Sequence, residues 1–133
     1  MKLESQVISL EIAKKLKELG VKQESLFSWY KFELWSEPRI WMNPDDPKAE
    51  LACLSGKREF MISAFTVAEL LTMMPRYVKN TWEFSLNMFM GKYEVRYEET
   101  DSAIDWLNES DENPANALSL MLIYLLENKL ITL

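Results

Sequence analysis

The sequence predicts a single α+β domain over residues 1–133: an antiparallel sheet of four or five strands centred on a β-hairpin at 82–99, flanked by three helices. Two observations carry this. Residues 82–90 and 93–98 alternate apolar and polar side chains, the two-residue period of a half-buried strand. Three separate stretches, at 10–19, 67–74 and 114–127, carry helix periodicity or helix-stop and helix-start chemistry.

In the hairpin, Trp82, Phe84, Leu86, Met88 and Met90 alternate with Glu83, Ser85 and Asn87, and Tyr93, Val95 and Tyr97 alternate with Glu94, Arg96 and Glu98. Gly91-Lys92 reads as a two-residue type II′ loop, because Gly accepts positive φ without a Cβ clash. That turn sets Met90 beside Tyr93, Met88 opposite Val95 and Leu86 opposite Tyr97, with Asn87 facing Arg96 and Ser85 facing Glu98. Phe89 falls on the polar face. Two strands alone are marginal, so the apolar face needs a cover. Asn113 and Pro114 begin a helix as N-cap and first position. From Ala117 to Leu126 only Ser119 is polar. That is too short to span a bilayer and reads as a core helix buried on two sides.

The other elements follow in order. Ile12, Ala13, Leu16 and Leu19 form one helical stripe, Glu11 and Lys15 stand in the favourable i, i+4 order, and Gly20-Val21 supply a Schellman stop. Ser25 to Leu34 reads as an aromatic-rich strand and Arg39 to Met42 as a short one. Asn43 to Pro47 is turn-rich, residues 48–58 are ambiguous, and Ser55-Gly56-Lys57 turns into a strand at Glu59 to Ile62. Thr66-Val67-Ala68-Glu69 is a capping box, with Phe65 and Leu70 placed as a hydrophobic staple and Pro75 as the stop. Ser102 to Leu107 fits either one helical turn or a third strand.

Composition limits function. The chain has no His and one Cys, which removes Ser-His-Asp and Cys-His catalysis, imidazole metal sites and an internal disulfide. Glu4 and Glu11 break the first apolar run, so no secretory signal is expected, and with a lone Cys53 a cytoplasmic location is expected. The net charge is −6. Residues 1–80 hold 12 basic and 11 acidic side chains, whereas residues 81–133 hold 3 and 10. Such a balance argues against direct nucleic-acid binding.

Four features are candidate sites. Seven acids (Glu98, Glu99, Asp101, Asp105, Glu109, Asp111 and Glu112) fall within 98–112, and of these Asp101, Asp105, Asp111 and Glu112 are the candidate ligands of a hard cation, but the stretch has no EF-hand spacing or glycine and reads as a solvated loop. Ser55-Gly56-Lys57 lacks the remainder of a phosphate loop and reads as a turn. Cys53, between Ala52 and Leu54, reads as a small buried hydrophobe. Trp29, Trp35 and Trp41 could form a stacking platform with Lys31 and Arg39, serve as interface anchors, or simply belong to the core. With Phe89 they are the candidate interface residues. No catalytic residue, cofactor or metal is expected.

Glu11 to Phe27, Ile62 to Leu71 and Met121 to Ile131 resemble a family of small uncharacterised bacterial proteins often carried on prophages and mobile elements. The matched runs are caps and core helices, so the resemblance implies a fold and a setting, and it carries over no catalytic or binding residue. The expectation is a non-enzymatic accessory protein acting on an unknown protein partner or as a homodimer. The alternative is a nucleic-acid-directed role, through the tryptophans or through acidic mimicry of a DNA backbone by 98–112.

Overall fold

The computed structural model describes residues 2–42, 56–99 and 106–133. After a 3-10 turn at Leu3–Ser5 come α1 (Leu10–Glu18), β1 (Phe27–Phe32), β2 (Arg39–Met42), β3 (Arg58–Ser63), α2 (Val67–Met73), β4 (Tyr77–Val78), β5 (Trp82–Phe89), β6 (Lys92–Glu99), β7 (Trp106–Asp111) and α3 (Pro114–Glu127). The strands form two antiparallel sheets. One has the order β4-β5-β6-β7, with the hairpin at its centre. The strands of the first half pair among themselves, as β2-β1-β3. The reading of 102–107 resolves to strand from Trp106 onward; residues 100–105 lie outside the described residues.

Helix α3 packs on β6 and β7 and also on α1 and α2. Ala115, Ala117, Leu118, Ser119, Met121, Leu122 and Leu125 are all buried. The helix is therefore covered within the chain on both sides, as its nearly uniform apolarity requires. Truncating Leu118 or Leu122 to Ala should cost about 2–5 kcal/mol, because the packed surroundings relax only partly around the cavity. The second sheet joins the same core through Trp29, Phe60 and Ile62, with α1 laid against β3.

The caps hold this arrangement together. Asn113 Oδ1 accepts from the amides of Ala115 and Asn116 at 2.8 and 3.4 Å, and its Nδ2 donates to Val7 O at 2.9 Å. Asn116 Oδ1 in turn accepts from Ser9 N–H at 2.9 Å. The capping box at Thr66 forms as expected. Glu69 also reaches beyond it, accepting from Ser25 Oγ at 3.0 Å and from Leu26 N–H at 3.1 Å, and so ties α2 to the start of β1. Phe65 and Leu70 are both buried in the core. At the end of α1, Val21 N–H bonds Leu16 O at 3.1 Å and Gly20 has φ +88°, which completes the Schellman stop. Lys15, however, forms an ion pair with Glu127 at 3.1 Å, because α1 and α3 lie side by side and bring that carboxylate within reach.

The hairpin register departs from the sequence expectation by two residues. Met88 lies opposite Tyr93, Leu86 opposite Val95, Phe84 opposite Tyr97, Asn87 opposite Glu94 and Ser85 opposite Arg96. The turn is Met90-Gly91, with φ +51° and +79°, rather than Gly91-Lys92. Positive φ at both central residues is the requirement of a type I′ turn, whose twist matches the strands as well as a type II′ turn does. A shift of two preserves the faces, so the period held while the partners changed. The consequence is that Met90 has no strand partner among the described residues.

Candidate functional site

The aromatic half of the molecule is built on β1. Phe27, Trp29 and Lys31 alternate with Ser28, Tyr30 and Phe32, and cross-strand pairing places Ile40 and Ile62 beside Trp29 but Trp41 beside Ser28. Trp29 therefore belongs to the core face, where its indole N–H donates to Ile8 O at 2.9 Å. Trp41 lies on the other face with the buried Tyr30 and Phe32, and Trp35 joins them from the turn after β1. The rings of Trp35 and Trp41 meet edge to face at 4.9 Å, and Trp35 meets Phe32 at the same distance. The three tryptophans thus do not share one face as a stacking platform would need.

The neighbouring cations are also engaged. The Arg39 guanidinium stacks over the Trp35 ring at 4.8 Å, and Lys31 pairs with Glu59 at 3.2 Å. A cleft of about 630 Å³ runs along β2, bordered by Trp29, Trp41 and Arg39. Glu4 and Glu37 line it too, which leaves it without the positive excess that a phosphate backbone needs.

The acidic segment is similarly divided. On the outer face of β6, Arg96 bonds Glu94 and Glu98, the latter at 2.8 Å, and these carboxylates, Glu98 foremost, hold its guanidinium firmly protonated. Glu109 lies opposite the fully buried Val95, and burial pushes its carboxyl above the usual range. Asp111 Oδ1 accepts from Asn113 N–H at 2.8 Å, a local turn bond. Asp101 and Asp105 lie outside the described residues. Among the described residues no three or more His, Cys, Asp or Glu side chains come together as a metal site would require.

Cys53 and Ser55 also lie outside the described residues. The Lys57 amide, which a phosphate loop would offer to an anion, is bonded by the Glu33 carboxylate at 3.1 Å. Gly56 has φ +82°, and a Cβ there would sit 2.7 Å from Glu33 Oε2. That glycine serves a tight turn.

The remaining feature is the hairpin tip. Met88 and Phe89 are 65% exposed and Met90 is 86% exposed, three large apolar residues in succession beyond the end of the core. Phe89 is the one candidate interface residue found fully on the surface, on the outer face as its position in the alternation required. Its neighbours were missed because the expected register gave Met88 and Met90 apolar partners. Across family models, curated proteins and solved structures, no match to this chain is found. No helix among the described residues is long and apolar enough to cross a membrane.

Proposed function

We propose that this chain is a non-enzymatic accessory protein of a prophage or mobile element and that it acts by protein contact, including contact with itself. The observation that carries the reading is the apolar hairpin tip. Met88, Phe89 and Met90 stand in water on a strand end, where burial against a protein surface would release several kcal/mol (about 1.5–3 kcal/mol per large side chain). Exposed apolar side chains grouped at one strand end, on both faces of the hairpin, mark a contact site. The prophage setting rests on the sequence resemblance of the helix caps and core runs. The nucleic-acid alternative draws no support from the site, where the tryptophans lie on two faces, Lys31 is paired with Glu59 and Arg39 is stacked over Trp35.

A benzophenone photo-crosslinker placed at position 89 tests the reading in cells. The expected result is an adduct formed there and not from a crosslinker at Glu11, which is exposed on α1. A mass of two chains would identify self-contact and any other discrete mass a different protein. No adduct above the Glu11 control would overturn the contact reading.

A further inference from the structure

We infer that the open edge of β5 pairs, antiparallel and about a two-fold axis at Asn87, with the same edge of a second copy of this chain. The inference rests on the contact reading above and names its surface and occupant.

The turn sets which backbone groups of β5 face outward. A two-residue loop at Met90-Gly91 makes Phe89 and Lys92 a hydrogen-bonded pair, so Asn87 with Glu94 and Ser85 with Arg96 are hydrogen-bonded pairs as well. The residues between them, Phe84, Leu86 and Met88, then aim their N–H and C=O groups away from β6. Phe84 shows this directly: its N–H bonds Arg76 O at 2.9 Å on the β4 side. But β4 is only two residues long and faces only Trp82 and Glu83. Among the described residues no strand lies beside the edge beyond Phe84, and the N–H and C=O groups of Leu86 and Met88 on that side have no partner.

An unpaired edge is a template for another strand, and proteins usually guard one with charge. The other edges here are guarded. Strand β7 carries Glu109 and Asp111, β3 carries Arg58 and Glu59, β2 carries Arg39, and β4 is flanked by Arg76 and Lys79. Residues 84–91, Phe-Ser-Leu-Asn-Met-Phe-Met-Gly, carry no charge and no proline. Two copies of a chain with net charge −6 repel, so self-contact is least opposed where neither copy presents charge. This edge is that place.

The pairing also fits itself. With Asn87 on the two-fold, Leu86 exchanges both backbone hydrogen bonds with Met88 of the second copy, and Met88 does the same with its Leu86. Leu86 and Met88 side chains meet on one face, and Ser85 meets Phe89 on the other. Moving the two-fold to Leu86 would drive the second copy's Phe89 into the space of Tyr77, which β4 occupies opposite Glu83. Moving it to Met88 would require Met90, at φ +51°, to pair as a strand residue. A symmetric dimer is the commonest closed assembly, and this register alone uses both open residues.

Cysteine cross-linking tests the register, in a Cys53→Ser background. Across a non-hydrogen-bonded antiparallel pair the Cα atoms are about 4.5 Å apart, within disulfide reach. Asn87→Cys should therefore form a covalent dimer at least ten-fold faster than Ser85→Cys, whose copies would sit about 13 Å apart along the strands. In light scattering, the wild-type mass should rise from 15.7 kDa toward twice that value with concentration, and Met88→Lys should hold it at 15.7 kDa, with a thermal midpoint equal to the wild type's in dilute solution, where both are monomers. Equal cross-linking at 85 and 87, or none at 87, overturns the inference, as does a wild-type mass that stays at 15.7 kDa into the high micromolar range. A position-89 adduct to a different protein would sink this dimer and leave the contact reading standing.

Discussion

Ser119→Ala should stabilise the protein, against the usual direction of core substitutions. Ser119 lies on α3 with no exposed surface, and its Oγ has no hydrogen-bond partner among the described residues. A buried hydroxyl without a partner costs about 1–3 kcal/mol of desolvation. Alanine removes that cost and gains about 0.5 kcal/mol of helix propensity, while the lost oxygen gives up a few tenths of a kcal/mol of dispersion contacts. The net expectation is a gain of about 1–2 kcal/mol. For a chain of this length that raises Tm by about 4–8 °C. Urea titration followed by circular dichroism should show the midpoint rising with an unchanged slope, since the surface exposed on unfolding is the same. A loss of more than about 1 kcal/mol would refute the reasoning, because it would mean that the hydroxyl is satisfied in the folded protein.

Two further substitutions probe the four-stranded sheet through pH. The Tyr97 hydroxyl donates to Pro75 O at 2.6 Å, and burial pushes the phenol well above its ordinary value, so its contribution is complete below pH ~10 and is lost as pH rises toward the folded-state pKa. Tyr97→Phe should cost about 1–2 kcal/mol at pH 7, with the two stability curves converging above pH ~10; parallel curves would show that Tyr97 does not titrate differently on unfolding. Glu109, raised by burial, favours the folded state most when protonated, so Glu109→Gln should stabilise at pH 7 by an amount that vanishes as pH falls through the ordinary carboxylate range, and a destabilised variant at pH 7 would contradict it.

Local chemistry made most of the fold legible. Asn113-Pro114, the Thr66–Glu69 box and Gly20 mark helix ends by themselves, and α1, α2 and α3 end within a residue of where they point. Alternation alone placed β5 and β6, because a period of two survives any even shift of register. That same tolerance concealed the turn. Gly91 is at home at either central position, and nothing local says that Met90 will adopt φ +51°. Strand β4 was invisible because two residues carry no period. The split into two sheets was also beyond local reading, since sheet membership depends on pairing across long separations. The contact surface was only half legible. Phe89 broke the alternation and could be singled out, whereas Trp29, Trp35 and Trp41 advertise an interface by composition yet divide between the two faces of β1–β2–β3. Faces follow from parity within each strand, and Trp35 lies in a turn where parity does not apply.

Amide hydrogen exchange of β5 across a concentration series tests the central claim, that the hairpin tip and its open edge are the contact surface. Phe84, bonded to Arg76 O within the chain, should be protected at every concentration and serves as the internal standard. Leu86 and Met88 should exchange rapidly in dilute solution and slow at least ten-fold as the protein is concentrated. Exchange at Leu86 and Met88 that stays fast from low to high concentration, while Phe84 remains protected, would contradict the account.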